Sequence, residues 1–374
     1  MSPTYLFYAL DKATLVRGMS RYDYWGTKAK RRECLECVLC NLAMSTTNVS
    51  DADIVVSVVV VAKNEEKHIA SCIESLLAQD YPQEFYEIIV VDGCSTDRTQ
   101  EIVRSYPVKL IIADRGIIGY QRNIGAMTAK GKYVAFTDAD CVVSNQWLAK
   151  LVEALGNSPT DVVAVGGPNL VLDSDPIFAR VIGYMQETLL GSGGSPQSYR
   201  MNKPKYVYSV PNCNIAYVAD TLRSEKYDDK LSVGDDGDIN YRLKQKGYRF
   251  LYLPDALVWH HRPINLKRFM KKMFSYGDGM GKVTRKNRGV VRWYAFAPIL
   301  MGLVLLVAYP MIRFVPWAAY FYLAIAFIYM GGLFISTVQV FQRLKSMQSA
   351  KTLILLPVQH ISYGFGFLKG MLLP

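Results

Sequence analysis

Residues 57–62, SVVVVA, form a continuous β-branched run, the pattern of a strand covered on both faces. The spacing predicts a helix next, opening near Asn64-Glu65-Glu66 with acids in its first turn and carrying Ile69, Cys72, Ile73, Leu76 and Leu77 at helical intervals. Residues 87–92 read as a second strand, Ser95-Thr96-Asp97 as a helix start, and 108–112 as a third strand. A helix over 122–129 and a strand over 132–137 repeat the alternation. This βαβ order predicts a doubly wound parallel sheet, because crossovers between parallel strands are right-handed, and such sheets bind ligands beyond the carboxyl ends of their strands. Asp92 closes one strand and Asp138-Ala139-Asp140 another, so all three acids belong at that edge. Residues 249–259 read as a further strand, followed by His260-His261-Arg262.

Beyond Trp293 the pattern changes. The 374 residues are 51% hydrophobic and 20% charged, yet 293–312 and 315–340 contain no charge, and 352–374 contains only Lys369 and His360. The first two runs meet the requirement of roughly 20 apolar residues for a bilayer-spanning helix, and the third is read as a span or an interfacial segment. Charge distribution orients them. Between Arg262 and Arg292 stand ten Lys or Arg against one acid, Asp278. A basic run directly before a span marks the cytoplasmic side and attracts anionic headgroups, which explains it better than nucleic acid does. The expectation is a multi-pass cell-membrane protein with residues 1–292 in the cytoplasm. Its parts are an N-terminal extension (1–53), a catalytic domain (54–262), a basic juxtamembrane segment (263–292) and a membrane domain (293–374).

The extension suggests no chemistry. Asp11 and Lys12 cut off its first apolar run, so no cleavable signal peptide is expected there. Cys34, Cys37 and Cys40 have a metal-like spacing, but they share a helix face and have no second cluster nearby. Cysteines on the cytoplasmic side also argue against a disulfide framework.

Candidate chemistry follows from what is missing. After the first strand stands AKNEEKH, so neither the glycine-rich dinucleotide fingerprint nor the Walker loop is present. Without a backbone cradle, a diphosphate would be held through a divalent cation, and Mg2+ or Mn2+ commonly bridges carboxylates to phosphates. Alternate residues at a strand end point the same way, so Asp138 and Asp140 suit a metal, a sugar hydroxyl or plain water.

The series VSVVVVAKNEE, EIIVVDGCSTDRT, QRNIGAMTAKGKYVAFTDADC, VPNCNIAYVAD and GDDGDINYRLKQKGYRF resembles the family 2 glycosyltransferases of GT-A fold over about residues 55–290. The resemblance implies that Val61, Ala62, Asn64, Glu65 and Asp92 line the nucleotide pocket, with Arg122 and Asn123 near the donor. Asp138 would reach the ribose or sugar, and Asp140 and His260, preferred over His261, would bind Mn2+ or Mg2+. Asp236 matches the catalytic base and Asp235 its partner, although the family usually has Glu at the latter position. Tyr276-Gly277-Asp278-Gly279 resembles a YG-x-G segment of membrane-anchored members, read as a closing loop or a helix break. Processive synthases carry Q-x-x-R-W, whereas here Gly289 stands in place of the Gln before Arg292-Trp293. The implied activity is inverting transfer of one sugar from a UDP- or GDP-linked donor to a polyprenyl phosphate or lipid-linked glycan. A processive synthase and an inactive membrane scaffold are the alternatives.

Overall fold

The structure is a computed structural model that describes residues 54–290 apart from 197 and 199, and 313–373 apart from 316. The N-terminal extension with its three cysteines and the first expected span, 293–312, lie outside the described residues.

The valine run forms β1 (Val56–Ala62), every residue of which is buried. Its alternating side chains feed two layers. Val56, Val58, Val60 and Ala62 join the core beneath α1 (Ile69–Leu77), whereas Val59 faces the core beneath α3 (Ile118–Thr128). The predicted helix start at Asn64 is corrected. Asn64 adopts a left-handed φ of 57°, and its side chain accepts from the Thr96 amide at 2.8 Å. The acids therefore form a turn that grips the next loop, and α1 begins at Ile69 without an acidic first turn.

Strands β2 (Tyr86–Asp92), β3 (Lys109–Ile112) and β4 (Tyr133–Asp138) lie parallel with β1 in the order β3-β2-β1-β4. Helix α2 (Thr99–Arg104) joins β2 to β3. The chain thus changes direction of travel across the sheet between β1 and β4, the switch point where a crevice opens. Across it Val61 pairs with Asp138, and Ala62 pairs with Asp92. The sheet continues through β9 (Ile215–Val218), β6 (Val162–Gly166), β10 (Arg249–Tyr252) and β8 (Lys205–Val207), with β9 antiparallel to both its neighbours. A small second sheet joins β5 (Cys141–Val143), β11 (Val258–His260) and β7 (Asn169–Leu170). The single strand expected over 249–259 is therefore two strands in different sheets, parted at Pro254, whose missing amide cannot serve a ladder.

Helices α4 (Trp147–Gly156), α5 (Ile177–Gln186), α6 (Leu189–Ser192), α7 (Ala219–Glu225) and α8 (Asp235–Gln245) complete the domain. The basic segment forms one amphipathic helix, α9 (Leu266–Lys286), capped by the Asn265 side chain at the Arg268 amide. The YG-x-G segment lies inside this helix, which overturns the closing-loop and helix-break readings. Gly277 permits contact with α11 (Thr352–Leu372) instead, while Gly279 lies against Val233. A Cβ on Gly277 would stand 2.1 Å from the Tyr363 carbonyl oxygen, and one on Gly366 would stand 2.0 Å from that of Phe274. Gly281 and Gly370 repeat this one turn on, so paired small-x3-small stripes bring the two backbones together. We expect Gly366→Ala to lower thermal stability in detergent by about 1–3 kcal/mol through overpacking. Gly331→Ala, where a Cβ meets nothing within 4 Å, should be tolerated.

Helix α10 (Ala318–Leu344) includes the one stretch among the described residues long and apolar enough to cross a membrane, Ala319–Leu344. The third expected span is the helix clasped against α9, so the multi-pass expectation retains a single candidate span among the described residues.

Candidate active site

The predicted acids form two groups, the first at the edge formed by β1, β2 and β4. Asp92 is fully buried and accepts bonds from the Ser95 amide (2.9 Å), the Ser95 hydroxyl and Gln100 Nε2 (2.7 Å). Asn64 and Glu65 join this loop to β1, the Glu65 amide donating to Thr99 Oγ1 at 2.8 Å. The Glu65 carboxyl turns the other way. Burial and the neighbouring Asp140 push it up to about 7.

Asp138 and Asp140 stay partly exposed at 27% and 23%. Strand β11 then delivers His260, whose Nε2 lies 3.0 Å from Asp140 Oδ2 and whose Nδ1 lies 3.3 Å from Asn169. Burial works against the imidazolium, but Asp140 outweighs it and raises His260 to about 9. Burial likewise opposes the Asp140 charge, and His260 holds that carboxylate below its ordinary range. Donor atoms of Asp138, Asp140 and His260 fall within 4.8 Å of one another. Two carboxylates and an imidazole are hard and borderline donors, and the set fits Mn2+ or Mg2+. His261 turns away to Asp175 and packs tilted against His68, with ring centroids 4.1 Å apart.

The second group stands at the N-terminus of α8. Gly234, with φ of 80°, turns the chain so that Asp235 and Asp236 open the helix. Asp235 is buried between Arg122, which forms an ion pair with it, and Asn212 Nδ2 at 3.2 Å. Burial and the adjoining Asp235 charge push Asp236 up to about 7, despite the Arg122 cation and a bond from the Gly237 amide. Arg122 also reaches Asp138 at 3.0 Å, so one buried guanidinium connects the two groups. Its neighbour Asn123 is not part of this edge. Both ends of that amide are taken by the backbone of Tyr227, at 2.9 and 2.8 Å.

Sequence reasoning missed Lys272. It counted as one charge of a membrane-facing run, yet it sits on the α9 face turned inward, close enough to Glu65, Asp140 and His260 to shift all three. Burial opposes its charge, and Tyr276 and Asp140 together hold the ammonium above its ordinary range. The helical offset from buried Phe269 and Met273 was the available signal. Asn212 was also missed. It stands within the quoted VPNCN motif, but nothing in its spacing shows that it serves Asp235.

The profile of glycosyl transferase family group 2 matches residues 133–335, and that of glycosyl transferase family 2 matches 57–185. The chain belongs to the family 2 glycosyltransferases and is a glycosyltransferase of GT-A fold. Among its relatives is the dolichyl N-acetyl-alpha-D-glucosaminyl phosphate 3-beta-D-2,3-diacetamido-2,3-dideoxy-beta-D-glucuronosyltransferase of Methanococcus voltae. It is 24% identical over 330 residues, which cover 85% of this chain and 97% of that protein. Glycosyltransferase AglE of Haloferax volcanii is 26% identical over 62% of this chain and 75% of its own length. Among solved structures, the mannosyltransferase PcManGT from Pyrobaculum calidifontis, in complex with GDP-Man and Mn2+, superimposes with a TM-score of 0.52. The identity there is 19%, with 91% of this chain and 94% of that one covered.

Proposed function

We propose that this glycosyltransferase moves one sugar, with inversion, from a UDP- or GDP-linked donor to a lipid-linked acceptor presented at the cytoplasmic face of a membrane. The observation that carries the reading is Arg122, buried and paired at once with Asp138 on the donor edge and Asp235 beside Asp236. One cation thereby fixes the spacing between a site for the diphosphate and a carboxylate able to take a proton.

In this reading Asp236 accepts the proton of the acceptor hydroxyl as that oxygen attacks the anomeric carbon from the face opposite the leaving diphosphate. Asp235 is a positioning residue, held by Arg122 and Asn212, whose charge keeps Asp236 basic. Asp92, Val61, Ala62, Asn64 and Glu65 form the nucleotide side, and Asp138 meets the ribose or sugar. Asp138, Asp140 and His260 would hold a divalent cation, which when bound offsets charge growing on the leaving diphosphate. Lys272 adds a second positive group on that side. An acceptor in a bilayer is supported by the lipid-linked substrate in the Methanococcus voltae relative's name and by the exposed basic and apolar residues of α9, among them Lys267, Lys271, Met270 and Phe274.

Calorimetric titration of UDP and GDP into the detergent-purified chain, with and without Mn2+, tests this. Binding that requires both Mn2+ and an intact Asp140, and is lost in Asp140→Ala, is the expected result. Absence of binding by either nucleotide would favour an inactive scaffold.

A further inference from the structure

We propose that Cys141, Cys213 and His260 form a second metal site, selective for Zn2+ and similarly soft cations, which closes the enzyme when filled because it takes the imidazole from the Asp138–Asp140 set. The three side chains are buried, and their ligand atoms lie within 4.8 Å of one another. They arrive from separate elements. Cys141 opens β5 and pairs in register with His260 on β11, and Cys213 stands two residues before β9.

The placement differs from that of the other described cysteines. Cys72 directs its sulfur to the Asp138 carbonyl at 3.5 Å, and Cys94 directs its own to that of Ala113 at 3.0 Å. Cys141 and Cys213 instead converge on the His260 imidazole, and a water would complete the set around a bound ion. Two thiolates, one imidazole and an oxygen make a tetrahedral zinc set, whereas carboxylates with imidazole suit Mn2+ or Mg2+. The two sets share only the histidine. Filling the thiol set releases to solvent the two cysteine protons and the extra proton of the His260 imidazolium, and withdraws His260 from the carboxylate set. The closing effect rests on the role proposed above for His260, but the thiol site itself does not.

Full-length protein in detergent is titrated with Co2+ alone, then assayed for transfer with Mn2+ and graded Zn2+. Wild type is expected to show a near-ultraviolet thiolate-to-cobalt charge-transfer band that Cys213→Ser and Cys141→Ala lose. From the affinity order of divalent ions, Zn2+ at about a tenth of the Mn2+ concentration should cut transfer roughly tenfold or more in wild type, and far less in Cys213→Ser. Wild type without the thiolate band, or equal Zn2+ inhibition of wild type and variant, overturns the proposal. If neither variant folds, the wild-type spectrum decides alone. A thiolate band in a protein that transfers no sugar under any condition would uphold the site and defeat the functional reading instead.

Discussion

Asp236→Asn is expected to lower transfer by about 10²–10⁴-fold, the usual contribution of a general base, while Mn2+-dependent nucleotide binding survives. The separation follows from geometry, since Asp236 belongs to the α8 group and the proposed nucleotide pocket to the β1–β2–β4 edge. Single-turnover assays beside calorimetry read both quantities. Wild-type kcat/KM should rise with pH through about 7, because burial and Asp235 raise the group that must be unprotonated. Asp235→Asn removes the like charge, so its acid limb should move to lower pH. Stability runs in the opposite sense. A carboxyl raised in the folded state contributes stability that is complete below its unfolded value near 3.8 and is lost as pH rises through about 7. Asp236→Asn should therefore flatten that decline, leaving a less active but more alkali-stable protein.

Arg122→Met should be the most damaging substitution for folding. Arg122 and Asp235 expose only 5% and 6% of their side chains, so the change strands a buried carboxylate. Breaking such a pair typically costs about 3–5 kcal/mol. Adding Asp235→Asn removes the stranded charge and should return part of the loss, measured as a coupling energy in chemical unfolding. Equal losses in the single and double variants would show that the guanidinium stabilises the fold by packing on Tyr227, over whose ring it lies at 5.9 Å, and that its pairing is incidental.

The left half of the sheet was legible because its strands are continuous β-branched runs and its helices carry regular apolar spacing. The acids at strand ends followed from the parallel order. Local signals misled where a polar residue makes a contact distant in sequence. Asn64-Glu65-Glu66 has the composition of a helix start, but the amides and oxygens there serve Ser95, Thr96 and Thr99, about thirty residues on. Lys272 was hidden for a related reason. In a run of ten basic residues no single charge is distinguished, and only packing of α9 shows which one turns inward. Gly277 read as part of a closing loop or a helix break because its partner stripe lies nearly ninety residues later on α11.

Strand β9 runs against both neighbours, so the residues preceding it, rather than those following it, arrive at the ligand edge. Three consecutive side chains there have unrelated tasks: Asn212 serves Asp235, Cys213 faces Cys141 and His260, and Asn214 bonds the Pro168 and Ala256 carbonyls. A slip of one residue would exchange these destinations, putting a thiol beside the Arg122 pair and an amide beside the imidazole. Fidelity at this edge is thus a copying problem, solved by two ladders that read the same four-residue strand from opposite sides. An insertion or deletion between Pro211 and Ile215 would garble the site while leaving every catalytic residue in the sequence.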